Sequence, residues 1–343
     1  MQTEVPTVSQ FDVRSADRPP AAQGRRVAVL GATGFVGRRV CQALAAAGAR
    51  VYGVARSAAG AADFEPIPLD LAATSPERLA EVLRSTGADV VVNAAGAVWG
   101  VTDQQMAQAN AELPERLVTA VGLLPGRPRV VHLGSVHEYG PGPWGVAIPE
   151  SLPPAPVSSY GRTKLLGTEA VLAAARDRGL DGVVLRIVNV SGPGTPAGSL
   201  LGMIAGRLAE VARGGPGEPL RLTPLRARRD FVDVRDVADA VVAAAVADAP
   251  GGLAGQVINI GRGEAVAVRR LVDRLIELSG LPLTVAEEPD TAPQRGAVDW
   301  QQVDIGKAAR LLDWRPQRDL DTSLRDLLTS TPGLVPEPEA VAG

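Results

Sequence analysis

The chain has 343 residues, 45% hydrophobic and 21% charged, with a formal net charge of −3 and a pI near 5.6. That length suits one large domain or two ordinary ones, and mild acidity supplies no field for attracting nucleic acid or anionic lipid. A single cysteine, Cys41, and two histidines, His132 and His137, exclude a disulfide framework and a thiolate- or histidine-based metal site.

Taken in order, residues 1–24 are polar, contain three prolines and read as a flexible extension. They hold no apolar core segment of a signal peptide, and the sequence has no run of about eighteen apolar residues, so a cytoplasmic protein without a membrane span is expected. Val27–Leu30 reads as an apolar strand, followed by the turn "GATGFVG", an amphipathic helix to about Ala47 and a second strand at Arg50–Ala55. Such a βαβ unit implies a parallel sheet. Further strands are expected in "IPLD", "DVVVNAAG", "RVVHLGS" and "DGVVLRIVNV". Helices are expected at "SPERLAEVLRSTG", "QQMAQANAELPERLVTAVGLL" and "YGRTKLLGTEAVLAAARDRG". The strands are continuously apolar rather than alternating, which marks a sheet buried on both faces. The fold class is therefore α/β: a Rossmann-type doubly wound parallel sheet formed by 25–185 and 226–260, with a smaller α/β lobe from 186–225 and 261–330. Residues 331–343 read as a flexible tail.

In the glycine turn, Gly31 permits a tight bend, Gly34 lets the backbone approach a pyrophosphate, and Gly37 lets the helix pack closely on the strand. Thr33, Phe35 and Val36 fill the turn and the first helical positions beside the same phosphates. The second strand ends in Arg56 instead of an acidic residue; a guanidinium there meets the 2′-phosphate of NADP(H), where an aspartate would bond the ribose of NAD. Asp70, with Leu71 beside it, ends the next strand where an adenine amino group is read, or simply caps a turn.

Only two of the 35 basic residues are lysines, Lys164 and Lys307, and Lys164 lies four residues after Tyr160. That spacing places both side chains on one helical face. A phenol of ordinary pKa near ~10 is a poor acid–base group at neutral pH, and an adjacent ammonium favours its ionised form. Ser135 ends a parallel strand, on the side where ligands bind in open α/β sheets.

These elements, together with "NAAG" at Asn93–Gly96, Asn110, "LRIVNVSGPG", "RRDFVDVRDVADA" and "DIGKAARLLDWRP", resemble the extended short-chain dehydrogenases/reductases that act on nucleotide sugars. The resemblance covers roughly residues 25–320, with Asn93 departing from the residue more often seen there. It implies Tyr160 as proton donor, Ser135 on the substrate carbonyl, Lys164 on the nicotinamide ribose and Asn110 as a further catalytic-site residue. Ala94, Ala95 and Gly96 would line the cofactor. Asn189 would touch the sugar nucleotide, Arg229 and Arg295 its diphosphate, and a homodimer through the helix bearing Tyr160 is implied.

Dehydratases of this branch resemble one another in an Asp-Glu pair directly after the serine or threonine. Val136 and His137 stand there instead, and valine exchanges no proton. His137 reads as a packing or hydrogen-bonding residue or a substrate contact, and Trp99 as core packing or a surface for the sugar. Epimerases of the branch typically retain NAD, which Arg56 opposes. "NAAGAVWG" and "LGSVHEYGP" resemble actinobacterial NDP-hexose 4-ketoreductases that finish dTDP-deoxysugars for antibiotics. The implied reaction is NADPH-dependent reduction of a dTDP-4-keto-6-deoxyhexose; an epimerase, a 4,6-dehydratase and a non-catalytic NADP sensor are the alternatives.

Overall fold

In the computed structural model, which describes residues 21–57, 62–215, 218–249, 251–288 and 299–334, the chain alternates strand and helix from its first ordered turn. The first half runs β1 (Arg26–Leu30), α1 (Phe35–Ala46), β2 (Arg50–Ala55), β3 (Glu65–Pro68), α2 (Pro76–Thr86) and β4 (Val90–Asn93). It continues through α3 (Asp103–Ala107), α4 (Leu113–Gly122), β5 (Arg129–Ser135), α5 (Ser159–Arg178) and β6 (Gly182–Ile187). The second half comprises β7 (Asn189–Ser191), α6 (Leu200–Ala212), β8 (Leu220–Leu222), β9 (Arg228–Asp233), α7 (Val234–Val246) and β10 (Val257–Ile260). After these come β11 (Ala265–Ala267), α8 (Val268–Ser279), β12 (Val285–Glu287), β13 (Trp300–Gln301), α9 (Gly306–Leu312) and α10 (Leu320–Thr329).

Seven parallel strands form the main sheet in the order β10-β6-β5-β4-β1-β2-β3. One face is covered by α1 and α7, with Val40, Leu44, Val237 and Val241 in the core. The other is covered by α2, α4 and α5, through Leu79, Leu83, Leu117, Val121 and Val171. This is the doubly wound Rossmann-type fold expected from the apolar strands. Cys41 lies in the first core, where burial pushes its thiol up to about 12.

Smaller sheets build the lobe. β9 pairs with β7, β11 and β13, and β8 pairs with β12, over a separate core that includes Ile204, Leu208, Leu271, Leu275 and Leu324. β9, placed with the cofactor domain on sequence, is thus hydrogen-bonded into the smaller sheet, whereas α7 and β10 pack on the large one. The expected strand "DGVVLRIVNV" is divided: β6 stays in the large sheet and β7 joins the small one, with Val188 between them bonded to Ile260 O.

Other differences have local causes. β3 sits two residues earlier than expected, at the sheet edge. Leu69 N bonds back to Ala55 O, so alternate residues face β2 and the N–H groups missing from Pro66 and Pro68 fall on the open side, where proline is tolerated. The expected helix across 104–124 is interrupted by a π turn, Gln108–Glu112. Pro114 supplies no N–H to the carbonyl of Asn110 and crowds it, which favours one wider turn. Within the expected N-terminal extension, Ala22 is buried and its N–H bonds to Ala47 O, so ordered chain begins before residue 25; residues 1–20, and 335–343 of the expected tail, lie outside the described residues. Among the described residues no helix is long and apolar enough to cross a membrane.

The C-terminal segment is fastened to α7 by Asp236. Its buried carboxylate accepts the Gln317 and Arg318 amides at 3.1 Å each and pairs with the Arg318 guanidinium at 2.6 Å. Replacing Asp236 by Ala leaves those donors without an acceptor. The expected cost is about 2 kcal/mol, seen as a lower urea midpoint with an unchanged slope.

Candidate active site

The sheet reverses its winding between β1 and β4, the place where open α/β sheets bind ligands. Gly31 ends β1 with φ of 81°, and a Cβ there would lie 2.8 Å from Ala95 Cα; a Cβ on Gly37 would lie 2.1 Å from Gly31 O. Both positions therefore exclude any larger residue. Gly34 begins α1 with no side chain capping it and no acidic residue in the first turn, so the amides near Phe35, Val36 and Gly37 stand ready for an anion. Thr33 and Arg56 are exposed on this rim, while Ala94, Ala95 and Gly96 form its opposite wall. The surroundings fit a dinucleotide pyrophosphate. Asp70 is exposed, its Oδ1 accepting Ala72 N at 3.0 Å. The turn containing Leu71 is held by Arg116, which donates to the carbonyls of Leu71, Ala72 and Thr74.

The reacting candidates meet at the carboxyl end of β5. Ser158 caps α5 by accepting Gly161 N at 3.0 Å, and the first turns of that helix carry Tyr160 and Lys164. Burial pushes the Tyr160 phenol above the ordinary range, while the neighbouring Ser135 hydroxyl pulls it down and Glu138 pushes it up. The expected lowering by the Lys164 ammonium does not appear. Lys164, 5% exposed, donates instead to Leu133 O, and burial lowers its amine to about 8 against the opposing charge of Glu138. His137 sets its ring edge-on to Tyr160, centroids 5.6 Å apart, and is driven down to about 4 by burial and then by Arg229. It is a neutral packing group at physiological pH.

Asn110 lies in the π turn, fully buried. Its amide accepts Ala97 N at 2.9 Å and donates to Ala97 O at 2.8 Å and Thr163 Oγ1 at 3.2 Å. It ties the loop after β4 to the Tyr160 helix rather than meeting Ser135 or Tyr160 directly. Asn93 resolves similarly: it bonds His132 Nδ1 at 3.1 Å and Ala95 N at 3.3 Å, so a histidine on the adjacent strand orients the residue that shapes the 94–96 loop.

Glu138 and Arg186 were missed by sequence reasoning. They form a fully enclosed ion pair at 2.7 Å, with side chains 0% and 3% exposed. Two signals were available. Ser135–Glu138 has S-x-x-E spacing, and it does form a capping box. Arg186 interrupts the apolar run "VVLRIV", and a charge buried there demands a partner.

The lobe side presents donors. Arg229 has its Nη1 buried with no partner, and Gln301, its register partner on β13, has an unpartnered buried Nε2. Asn189 donates to Gln301 Oε1 at 3.2 Å and to Asp230 O at 3.0 Å, so it braces Gln301. Gln301 carried no sequence motif. Trp99 is 51% exposed and lies against Gly198, where a Cβ would be 2.8 Å from its own; the core-packing reading is thereby corrected, since a loop indole reaching across to the start of α6 stays half in solvent. Arg295 lies outside the described residues.

A Rossmann-type sheet with Ser135 and Tyr160 at its switch-point end defines an NAD(P)-dependent oxidoreductase or epimerase, and the chain belongs to the NAD dependent epimerase/dehydratase family, whose sequence profile matches residues 27–261. It is 45% identical over 317 residues to a dTDP-6-deoxy-L-talose 4-dehydrogenase (NAD(P)(+)) of Kitasatospora kifunensis, covering 91% of this chain and 97% of that one. Its fold is similar to UDP-glucuronic acid 4-epimerase of Bacillus cereus, solved with UDP-glucuronic acid and NAD (TM-score 0.76, 24% identity, 89% of this chain and 98% of that one). It is also similar to RMD of Pseudomonas aeruginosa, solved with NADPH (TM-score 0.72, 23% identity, 89% and 98%).

His137 offers a check on the site's packing. A histidine lowered from 6.5 to about 4 binds its proton more weakly when folded, so its stabilising contribution is complete above pH 6.5 and is lost as pH falls toward 4. Histidine NMR should show the His137 ring neutral down to about pH 4; a midpoint near the ordinary value would mean that the ring is not packed on Tyr160.

Proposed function

We propose that the chain is an NADPH-dependent 4-ketoreductase, interconverting the C4 ketone and C4 hydroxyl of a dTDP-linked 6-deoxyhexose. The carrying observation is the placement of Tyr160, in the first turn of α5, beside Ser135 at the end of β5, where the serine hydroxyl acts on the phenol. The 45%-identical 4-dehydrogenase supports the substrate class, since oxidation at C4 by NAD(P)+ is, run backward, reduction of the 4-ketone. We place the step in deoxysugar biosynthesis for antibiotics on the sequence resemblance alone.

The bound nicotinamide supplies a hydride. The chain's own groups do the rest. Ser135 donates its hydroxyl to the ketone oxygen, and Tyr160 gives that oxygen a proton as negative charge develops. A phenol raised by burial keeps its proton at neutral pH, which suits the acid of a reduction. Lys164 would hold a ribose hydroxyl of the cofactor with an ammonium slender enough for the site. His137 shields the ring edge of Tyr160 from water. Arg229 Nη1 and Gln301 Nε2 are unmet donors that would meet the substrate's diphosphate, and Arg295 would join them. With Val136 and His137 after the serine, no carboxylate pair stands there to remove water. Arg56, exposed at the end of β2, favours NADPH over NADH. Leu166, 50% exposed on α5, supports a homodimer through that helix.

Loss of NADPH absorbance with a dTDP-4-keto-6-deoxyhexose tests the reading. Epimerisation of a sugar nucleotide without net cofactor change would replace it with the epimerase reading, and binding without turnover would indicate a sensor. Tyr160→Phe should lower kcat by at least about 100-fold while NADPH binding, followed by fluorescence, is unchanged. Arg56→Asp should shift the NADPH-to-NADH ratio of kcat/KM by roughly tenfold or more toward NADH.

A further inference from the structure

Directly beneath Ser135 lies a carboxylate that the proposed proton transfer does not use. Glu138 is fully buried. One of its oxygens accepts Ser135 N–H at 2.7 Å and the other accepts Arg186 Nε at 2.7 Å. Arg186 in turn lies 4.4 Å from the centroid of the Tyr139 ring, and the Tyr139 hydroxyl donates to Asn259 Oδ1 on β10 at 2.8 Å. The carboxylate is therefore held from two strands and cannot swing away.

Gly134 makes the space it fills. A Cβ at Gly134 would lie 2.7 Å from Glu138 Oε1 and 3.2 Å from Thr168 Oγ1. Thr168 follows Lys164 by one helical turn, so the carboxylate reaches the face of α5 that carries the amine. The titratable and charged groups around Lys164 are Tyr160 on its own helix, His132 on β5, and Glu138 with Arg186 behind it on β6. His132 is fully buried and bonded to Asn93, hence neutral. Glu138 is the one anion of the set.

We propose that Glu138, clamped by Arg186, is a positioning residue of this active site: it fixes the turn that presents the Ser135 hydroxyl and supplies the negative charge that keeps Lys164 an ammonium. The proposal rests on the reading of Ser135, Tyr160 and Lys164 as the oxidoreductase groups. Burial drives the Lys164 amine down to about 8 and Glu138 opposes that fall. Without the carboxylate, Lys164 loses its proton at lower pH. Glu138 also raises the Tyr160 phenol, so its removal moves the alkaline limb of the reduction the same way, downward.

The chain has two lysines, so carbon-13-labelled lysine gives two NMR signals, from Lys164 and Lys307, whether or not the protein turns over. Glu138→Gln should lower the Lys164 midpoint by about one pH unit or more, and move the alkaline limb of kcat with it. Arg186→Gln leaves the carboxylate facing Lys164 alone and should raise the midpoint. The double variant removes both members of the ion pair and should resemble Glu138→Gln; it decides the matter if a single variant does not fold. A Lys164 midpoint unmoved by removing the Glu138 charge overturns the proposal. Shifts as expected in a protein whose wild type reduces no 4-keto sugar would uphold the positioning role and reject the proposed reaction.

Discussion

The site depends on how closely α5 lies against its neighbours. A Cβ on Gly161 would stand 2.4 Å from His137 O, and one on Gly167 would stand 2.2 Å from Asn110 O. The helix backbone is therefore in contact with both the turn after β5 and the π turn before α4. At that separation a tyrosine in the first turn reaches Ser135, and a lysine one turn later reaches a strand carbonyl. The π turn is part of the same contact: the carbonyl released above Pro114 is the one that packs on Gly167 Cα. A larger residue at either glycine would lift the helix and separate the phenol from the serine.

Several interior polar groups behind the site are paired, Glu138 with Arg186, Asn93 with His132 and Tyr139 with Asn259, whereas His132 Nε2 and Thr168 Oγ1 are left without a partner. On the lobe side, Arg229 Nη1 and Gln301 Nε2 are buried without partners. An unmet buried donor costs about 1–3 kcal/mol, and these two lie in register on adjacent strands.

Much of this was legible in the sequence because it depends on local pattern. Continuous apolar strands gave the two-faced sheet, "GATGFVG" gave the turn, and the Tyr160–Lys164 interval gave a shared helical face. Contacts between distant segments were less accessible. Arg186 and Glu138 are 48 residues apart, and nothing local says that one charge meets the other, although a buried arginine in an apolar strand implies that something must. The direction of the Tyr160 shift was misjudged for a related reason: spacing shows which groups are neighbours, whereas burial, which dominates here, comes from the packing of the whole sheet. The split of 181–190 between two sheets was hidden because Ile187, Val188 and Val190 carry the apolar pattern across the break.

The single cysteine has a practical consequence. Cys41 is enclosed between α1 and the sheet with its thiol pushed up to about 12, far from the thiolate form that reacts. Alkylating agents and thiol exchange therefore have no foothold on this thiol in the folded chain. A cysteine introduced on any exposed loop becomes the unique point at which a dye, spin label or cross-linker attaches, and the native residue need not be removed first.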